Sequence, residues 1–424
     1  MFTNTYLPHV GGVARSVNTY EEEFRRRGHD IRIIAPEFEG AEESTEFVLR
    51  VPAIQNFNGS DFSVRIPQPT LIDNYLDSFE PELIHSHHPF LLGDSALRAA
   101  WTRRLPLLFT HHTLYERYTH YVPLDSEAMQ RVAIQMATEY CNLCTHVIAP
   151  SESIAELLVH RQVTKPITAI PTGIDLAKFG SGDGKRARER YRLPADALVV
   201  GHVGRLAEEK NLTYLANAVA LFLKSHPAAF WLVVGSGEST ARIQEIVERT
   251  ASASQLIMTG CLQGDELVDA YTAMDLFVFS SQSETQGMVL AEAMAARTPV
   301  VALDGPGVRD VLNDVCGRML PENAVEALFA EAISQMSEDR GALRRRGELA
   351  RESVRDFGLD VCADRILELY QRLIADNALR EDADPSPWDR LLGRLEIEWS
   401  LLVEKTTALA AAVIETEATR SQLD

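Results

Sequence analysis

Two glutamates of the stretch SETQGMVLAEAMA, Glu284 and Glu292, stand eight residues apart and are the first candidates for chemistry. Paired carboxylates are the usual acid and base of enzymes that cleave sugars. On one continuous helix they would lie about 12 Å apart along the axis and about 80° apart around it, so they could not act on one small group. The polar SSQSETQG predicts a loop with Glu284, and MVLAEAMAA predicts a helix with Glu292. The pair therefore indicates two separate contacts to an extended ligand.

Phosphates are predicted for the middle of that ligand. The backbone N–H groups of Gly287, Met288 and Val289 would open the helix, where anions bind well. The stretch GRLAEEKNL follows a predicted strand and supplies Arg205 and Lys210, a planar fork of donors and a point charge. Together they suit a diphosphate.

Glycine-containing turns allow the backbone to approach such a ligand closely. VVGSGES, which contains Ser236, follows the next predicted strand. YLPHVGG ends in Gly11 and Gly12, which we expect in a loop. Neither turn carries the full dinucleotide fingerprint, so each is weak evidence when taken alone.

Histidines cluster in the first half of the chain. HSHHP contains His87, and THHTLYERYTHY contains His111, His112, Tyr115 and Tyr121. The imidazoles raise the hypothesis of a metal site. No carboxylate partners stand at metal-ligand spacing, and a phosphate-binding cleft already explains polar groups at strand ends. We therefore expect no metal.

Composition narrows the class of protein. The chain has 424 residues, of which 46% are hydrophobic and 24% charged, as in soluble globular proteins. Its formal net charge of -20 argues against a nucleic-acid partner. Five cysteines form no disulfide framework, which favours a reducing, cytoplasmic setting. No apolar run approaches the ~20 residues that span a bilayer, so any membrane contact would be peripheral.

Short apolar runs alternate with helical patterns throughout, which predicts an α/β fold with parallel sheets flanked by helices. The expected strands lie in IRIIA, ELIHSH, LPLLFTH, THVIAPS and ITAIP, and then in LVVGHVG, FWLVVG, LIMTG, DLFVFSS and TPVVAL. They are too many for one compact sheet, and the loop-like GSGDGKRARER from Gly180 marks the division. Two facing, doubly wound Rossmann-like domains would form a cleft outside the carboxyl ends of their strands.

The two ends of the chain carry further expectations. Only Met1 to Thr3 remain for a first strand, which normally needs about 5 residues, so we expect the true start upstream of Met1, with a short first strand as the alternative.

DADPSPW breaks the preceding helix, and apolar residues then recur at three- and four-residue spacing. This predicts an amphipathic helical tail that packs on the body or mediates self-association.

Five stretches, LPHVGGVARS, PSESIAELL, IPTGID, VGRLAEEKNL and SETQGMVLAEAMAARTPVVA, resemble the family-four retaining glycosyltransferases, which have the GT-B fold. The resemblance covers roughly residues 1 to 375. It implies an acceptor-binding domain at 1–175 and a nucleotide-sugar-binding domain at 176–352. A C-terminal helix at 353–376 is expected to return towards the first domain, and the amphipathic tail covers 377–424.

The resemblance also implies roles for individual residues. Glu284 would contact hydroxyls of the donor sugar, and Glu292 those of the ribose. Arg205 and Lys210 would bind the diphosphate. His112, in preference to His111, would contact the transferred sugar. The implied donor-binding set is Gly12, Arg205, Lys210, Ser236, Glu284, Gly287, Met288, Val289 and Glu292, and the implied acceptor-binding set is His87, Tyr115 and Tyr121.

The same resemblance implies transfer of a hexose from a nucleotide sugar to a hydroxyl acceptor without a metal cofactor. Many family members have EGFG where this chain has ETQG. That variant and HHTLYERYTHY resemble the glucosyltransferases that act on diacylglycerol, which implies UDP-glucose, a lipid acceptor and peripheral attachment to the inner face of the membrane. The alternatives are a nucleotide-sugar epimerase, a sugar phosphorylase and a non-catalytic nucleotide-sugar-binding protein.

Overall fold

The protein is described from a computed structural model that covers residues 1–8, 11–38, 44–54, 64–65, 69–117, 127–251 and 253–379. It divides into two compact units. The first comprises Met1–Ile170 together with the chain from Ala363 onward, and the second comprises Pro171–Cys362.

Strands of the first unit are β1 (Ile33–Pro36), β2 (Val48–Val51), β3 (Ala53–Ile54), β4 (Val64–Arg65), β5 (Ile84–Ser86), β6 (Leu107–Thr110), β7 (His146–Ala149) and β8 (Ile167–Ala169). Those of the second are β9 (Leu198–Val203), β10 (Ala229–Val234), β11 (Leu256–Met258), β12 (Leu276–Phe279), β13 (Val300–Leu303) and β14 (Gly317–Leu320). All ten expected strands are therefore confirmed, whereas β2, β3, β4 and β14 were not predicted.

Helices precede or follow almost every strand. They are α1 (Gly12–Arg26), α2 (Pro69–Phe79), α3 (Leu92–Arg103), α4 (Glu127–Leu143), α5 (Glu152–His160), α6 (Leu176–Phe179), α7 (Gly184–Arg190), α8 (Leu212–Ser225), α9 (Thr240–Thr250), α10 (Gly264–Ala273), α11 (Met288–Ala295), α12 (Val308–Val311), α13 (Glu326–Ser337), α14 (Arg340–Ser353) and α15 (Leu359–Ala378).

The first unit has a parallel sheet with a very short member near its middle. Strands β5 to β8 follow one another in sequence order, and β1 pairs with β2. Phe2 forms parallel bridges to Ile34 of β1 and to Ser86 of β5. The N–H of Phe2 donates to the carbonyl of His85 at 2.8 Å, and that of Thr3 to the carbonyl of Ile34 at 3.0 Å. Met1 to Thr3 thus act as a short strand between β1 and β5.

The sheet of the second unit has the order β11-β10-β9-β12-β13-β14, with every pair parallel. Alternate residues of each strand point to opposite faces. Leu232 and Phe277 enter one buried apolar cluster, whereas their neighbours Trp231 and Leu276 enter another. Because buried clusters lie on both faces, most positions of these strands are apolar.

The boundary between the units differs from the expected one at 175/176. The second unit already begins at Pro171 because the next residues pair within it. The N–H of Ile174 donates to the carbonyl of Phe357, and the N–H of Leu359 donates to the carbonyl of Ile174, each at 2.9 Å.

The C-terminal helix also differs from its expected bounds of 353–376. Helix α14 ends at Ser353, a 3-10 turn follows at Arg355–Phe357, and α15 begins at Leu359 and ends at Ala378. From Ala363 onward α15 is part of the first unit. The tail predicted at 377–424 lies almost wholly outside the described residues.

Candidate functional site

Three loops with predicted site residues follow neighbouring strands of the second unit. Strand β9 leads to Arg205 and Lys210, β10 to Ser236, and β12 to Glu284. Since β9 lies between β10 and β12 in a parallel sheet, these loops leave the same edge. The strand order reverses between β9 and β12, and open α/β sheets bind ligands at such reversal points.

Lys210 and Glu284 form an ion pair at this reversal point. The Nζ of Lys210 lies 2.5 Å from Oε1 of Glu284, although the two residues are 74 positions apart in the chain. Their side chains are only 16% and 18% exposed, so water screens the attraction incompletely. The pair places a cation and a hydrogen-bond acceptor side by side at the reversal point.

Arg205 lies on the same loop and is more accessible, with a side chain 45% exposed. Its guanidinium pairs with Glu209, whose side chain is only 4% exposed. A carboxylate held inside the loop restricts the directions in which the guanidinium can point. Glu209 was missed from the sequence, although its spacing of four from Arg205 is a recognisable signal for an ion pair.

The loop after β10 packs against the loop after β9. The N–H of Leu206 donates to the carbonyl of Ser236 at 2.9 Å. A Cβ on Gly235 would lie 1.9 Å from the carbonyl oxygen of Gly204, so the approach requires glycine. The exposed hydroxyl of Ser236 lies 2.9 Å from Sγ of Cys261. Backbone packing therefore brings Ser236 beside the loop that carries Arg205.

The predicted change from loop to helix is present between the two glutamates. Helix α11 begins at Met288, after Gly287 with a φ of 73°. Glu284 lies in the loop and Glu292 within the helix. Met288 and Val289 form the first turn, where N–H groups have no acceptor inside the helix.

Glu292 is buried and receives a hydrogen bond from a buried tyrosine. The carboxylate side chain is 2% exposed, and the hydroxyl of Tyr271 on α10 donates to its Oε2 at 2.6 Å. A buried carboxylate needs such donors to offset the loss of water. Tyr271 was not singled out from the sequence, since one tyrosine in an apolar helix gives no signal.

Gln286 connects the loop of Glu284 to the first residues of the second unit. Its Oε1 accepts from the N–H of Thr172, and its Nε2 donates to the carbonyl of Thr172, each at 2.7 Å. Both residues are buried. The ETQG variant was noted in the sequence, but Gln286 itself was given no role.

His87 and His112 of the first unit are hydrogen-bonded to each other. They follow β5 and β6, two adjacent parallel strands, and Nδ1 of His87 lies 2.9 Å from Nε2 of His112. Burial lowers the pKa of His112 to about 3 and holds the pKa of His87 well below its ordinary value. Both rings are therefore neutral at pH 7, and one of them donates to the other.

His85 adds a second set of contacts beside this pair. Its Nδ1 lies 2.6 Å from the hydroxyl of Tyr370 on α15, and its Nε2 lies 2.7 Å from Oγ1 of Thr110. Burial raises the pKa of Tyr370, so its hydroxyl keeps the proton. In the described part of the chain, no group of His, Cys, Asp and Glu side chains is arranged to hold a metal ion.

The remaining predicted residues are less informative. Gly12 is the first residue of α1 and not part of a loop, because the N–H of Arg15 donates to the carbonyl of Gly11 and closes the first turn. Tyr115 packs edge-on against Phe90, with ring centroids 5.2 Å apart. Tyr121 lies outside the described residues. None of the helices described here combines the length and the apolar composition needed to traverse a bilayer.

Family models match both units. Residues 10–178 match the model described as Glycosyltransferase Family 4, and residues 183–353 match Glycosyl transferases group 1. The D-inositol 3-phosphate glycosyltransferase of Acidothermus cellulolyticus is 31% identical over 70% of this chain and 68% of that protein. The α-monoglucosyldiacylglycerol synthase of Streptococcus pneumoniae is 28% identical over 74% and 73% of the two chains. The GDP-mannose-dependent α-mannosyltransferase of Mycobacterium tuberculosis is 29% identical over 87% and 94%.

Solved structures agree on the architecture. The sucrose-phosphate synthase of Thermosynechococcus elongatus superposes with a TM-score of 0.70 at 23% identity, covering 87% of this chain and 94% of that one. Anabaena HepE, solved in complex with UDP, gives a TM-score of 0.69 at 18% identity, with coverage of 88% and 98%. The fold is therefore that of the GT-B glycosyltransferases.

The chain belongs to glycosyltransferase family 4. It is a retaining hexosyltransferase that takes a sugar from a nucleotide-sugar donor and transfers it to a hydroxyl acceptor.

Proposed function

We propose that this enzyme transfers glucose from UDP-glucose to a lipid hydroxyl, with diacylglycerol as the leading acceptor. The proposed donor site is supported by the Lys210–Glu284 pair. Its ammonium could bind a phosphate and its carboxylate a sugar hydroxyl, and the two groups lie 2.5 Å apart. The lipid acceptor is supported by ETQG and HHTLYERYTHY. It is also supported by α-monoglucosyldiacylglycerol synthases of Streptococcus pneumoniae and Acholeplasma laidlawii, which are 28% and 25% identical to this chain.

Donor binding would exchange the partners of this ion pair. The diphosphate takes the ammonium of Lys210 and the guanidinium of Arg205, which releases the carboxylate of Glu284 to accept hydrogen bonds from sugar hydroxyls. Glu292 accepts from the ribose hydroxyls, while Tyr271 holds its other oxygen. The first-turn amides of Met288 and Val289 face the phosphates.

Transfer with retention then needs one bond to form and one to break on the same face of the sugar. The acceptor oxygen attacks the anomeric carbon as the bond from that carbon to the phosphate oxygen breaks. The acceptor proton passes to the leaving phosphate, so no protein base is required. Lys210 and Arg205 stabilise the charge that develops on the leaving group, and His112 contacts the transferred sugar.

Because Lys210 and Arg205 would stabilise the leaving group, we predict that turnover does not require metal ions. Two side-chain cations neutralise the diphosphate in the way that a divalent cation does elsewhere. We expect turnover to be unchanged in excess EDTA, measured as UDP release with lipid acceptor present. Complete loss of turnover in EDTA, restored by added Mg²⁺ or Mn²⁺, would show that a metal shares the site.

The donor is tested first, by a hydrolysis screen over UDP- and GDP-sugars with the purified chain. UDP-glucose should be consumed fastest. The second candidate is GDP-mannose, favoured by the M. tuberculosis GDP-mannose-dependent relative, which this chain matches over 94% of its length. Faster consumption of GDP-mannose than of UDP-glucose would replace the proposed donor.

The acceptor is tested next, with diacylglycerol in anionic vesicles, soluble saccharides and water offered in parallel. We expect an α-glucosyl lipid, identified by the anomeric configuration of the product, and co-sedimentation of the enzyme with the vesicles. Transfer to saccharides alone would contradict the lipid acceptor. An altered nucleotide sugar formed without an acceptor would indicate an epimerase. A strict requirement for inorganic phosphate would indicate a phosphorylase.

A further inference from the structure

A buried histidine stands in the strand that leads to Arg205 and Lys210 and has no place in the scheme above. His202 stands in β9, three residues before Arg205, and is 2% exposed. The rings of Phe277 and Phe279 lie nearly parallel to its imidazole, with centroids 6.1 Å and 6.2 Å away.

One hydrogen bond determines which nitrogen of His202 carries the proton. Nδ1 lies 3.1 Å from the carbonyl oxygen of Val278 on the neighbouring strand β12. A carbonyl oxygen can only accept, so Nδ1 is the N–H donor. Burial lowers the pKa of His202 to about 4, which keeps the ring neutral at pH 7. Nε2 therefore carries a lone pair and acts as an acceptor only.

Nε2 has no hydrogen-bond partner among the described residues, although it is buried. Buried polar atoms of native proteins nearly always have a partner, and an exception calls for a specific explanation. An acceptor in this position would be satisfied by a ligand that brings an O–H or N–H group.

Nε2 also lies close to the first residue after β9. A Cβ added to Gly204 would lie 3.6 Å from Nε2 of His202. Among the described residues, leaving out the two chain neighbours of Gly204, no other heavy atom lies within 4 Å of that Cβ position. The charges of Lys210 and Glu284 both act on the pKa of His202, the first lowering it and the second raising it. Nε2 therefore lies beside the open side of Gly204, at the end of β9 that leads to Arg205.

The chemistry of the donor narrows what could bind there. Phosphate oxygens in a diphosphate ester accept hydrogen bonds and carry no proton to donate at pH 7. Sugar hydroxyls donate readily. Glu292 lies on α11 with Tyr271 as its partner. His202 is instead hydrogen-bonded to β12, the strand that leads to the loop of Glu284, the carboxylate assigned to the hexose.

We propose that His202 is a specificity-determining residue for the donor, in which Nε2 accepts a hydrogen bond from a hydroxyl of the transferred hexose. The proposal rests on the proposed function in requiring a nucleotide sugar between the loops after β9 and β12. It does not depend on which acceptor is used.

The test pairs a variant with donors that lack single hydroxyl groups. kcat/KM is measured for wild type and His202→Phe with the preferred donor and with its 2-, 3-, 4- and 6-deoxy sugars. One neutral hydrogen bond predicts that His202→Phe lowers kcat/KM for the full donor about 3- to 10-fold. With one deoxy donor the variant and the wild type should be equal, and inhibition by UDP, or GDP for a GDP-sugar, should be unchanged.

His226→Phe is the matched control, because His226 follows α8 and bonds to the carbonyl of Phe222 within its own segment. It should leave every kcat/KM value unchanged. His202→Leu removes the same acceptor with a smaller side chain and allows the same comparison if the phenylalanine variant does not fold.

An equal loss with every deoxy donor, or a parallel loss of inhibition by the free nucleotide, would overturn the proposal and leave His202 a structural residue. Failure of the proposed function would be recognised separately, since the donor screen on wild type would then identify another nucleotide sugar or none.

Discussion

At the scale of single residues, Lys210 and Glu284 are the residues for which the proposed donor site makes the sharpest prediction. Each neutralises the other in the described structure, and each would be needed separately once a donor is bound. Glu284→Gln and Lys210→Met keep the size of the side chains and remove the charges. Hydrogen bonds to charged groups contribute about 1.5–3 kcal/mol, so kcat/KM for the donor should fall about 10- to 100-fold in each variant.

The control is another ion pair of the second unit. Arg190 and Glu266 pair at the surface, with side chains 46% and 51% exposed. Arg190→Met and Glu266→Gln should leave kcat/KM unchanged. Near-normal turnover in Glu284→Gln would show that the Lys210–Glu284 pair is not part of the donor site.

Tyr271 is predicted to position Glu292 for the ribose. Tyr271→Phe deletes the hydroxyl that donates to Oε2 of Glu292 and changes little else in volume. We expect UDP to bind about 3- to 10-fold more weakly, and the preference for UDP over 2′-deoxy-UDP to shrink, because an unheld carboxylate selects the diol less well. Titration calorimetry with both nucleotides measures this.

Tyr214→Phe controls for the loss of a tyrosine hydroxyl, since the hydroxyl of Tyr214 has no hydrogen-bond partner among the described residues. It should bind both nucleotides as wild type does. An unchanged ratio between UDP and 2′-deoxy-UDP in Tyr271→Phe would mean that Tyr271 only fills space.

At the scale of elements, Gln286 ties the loop between β12 and α11 to Thr172 at the start of the second unit. Gln286 bonds both the N–H and the carbonyl of Thr172 in a buried setting. Gln286→Met keeps the length of the side chain and removes both hydrogen bonds from buried backbone. Unfolding in urea should require about 2–4 kcal/mol less, and the KM for the donor should rise because Glu284 shares the loop.

Gln282 provides the comparison, because it lies in the same loop with one long hydrogen bond of 3.4 Å to the carbonyl of Glu322. Gln282→Met should change stability by less than about 1 kcal/mol. A Gln286→Met enzyme as stable as wild type would show that the loop is held by other contacts.

At the scale of the whole molecule, buried neutral histidines make stability depend on pH. Lowered pKa values are found for His85, His87, His111, His112, His146 and His202. Burial is the first cause in every case. Below pH 6.5 the unfolded chain binds protons at these residues and the folded chain does not, until the folded pKa values near 4 or lower are reached.

The free energy of unfolding should therefore fall as the pH drops from about 6.5 towards 4. Each such histidine contributes up to about 1.4 kcal/mol per pH unit in that window. Urea unfolding at pH 7, 6 and 5 measures how the free energy of unfolding changes with pH. His202→Phe should reduce that slope by the contribution of one histidine. Equal stability at pH 7 and 5 would show that these rings bind protons as readily in the folded chain as in the unfolded one.

The pattern of apolar runs was sufficient to predict ten strands, because a strand buried on both faces is apolar along its length whatever its neighbours are. Strand β14, with the sequence GRML, was missed because it has an exposed arginine and lies at the edge of its sheet. Strand β2, with the sequence VLRV, contains Arg50, whose guanidinium bonds the carbonyl of Leu7. A charged residue in a short run hides a strand from a pattern based on hydrophobicity.

The sequence by itself determined the α/β class and the change from loop to helix between Glu284 and Glu292, since these follow from neighbours along the chain. It also supplied the residue types proposed for a diphosphate site. Tertiary structure alone decided that Lys210 meets Glu284 across 74 positions and that His87 meets His112. It also decided that Tyr271 holds Glu292. The order of strands in a sheet brings such residues together, and that order is set by the packing of helices on both faces rather than by any local pattern.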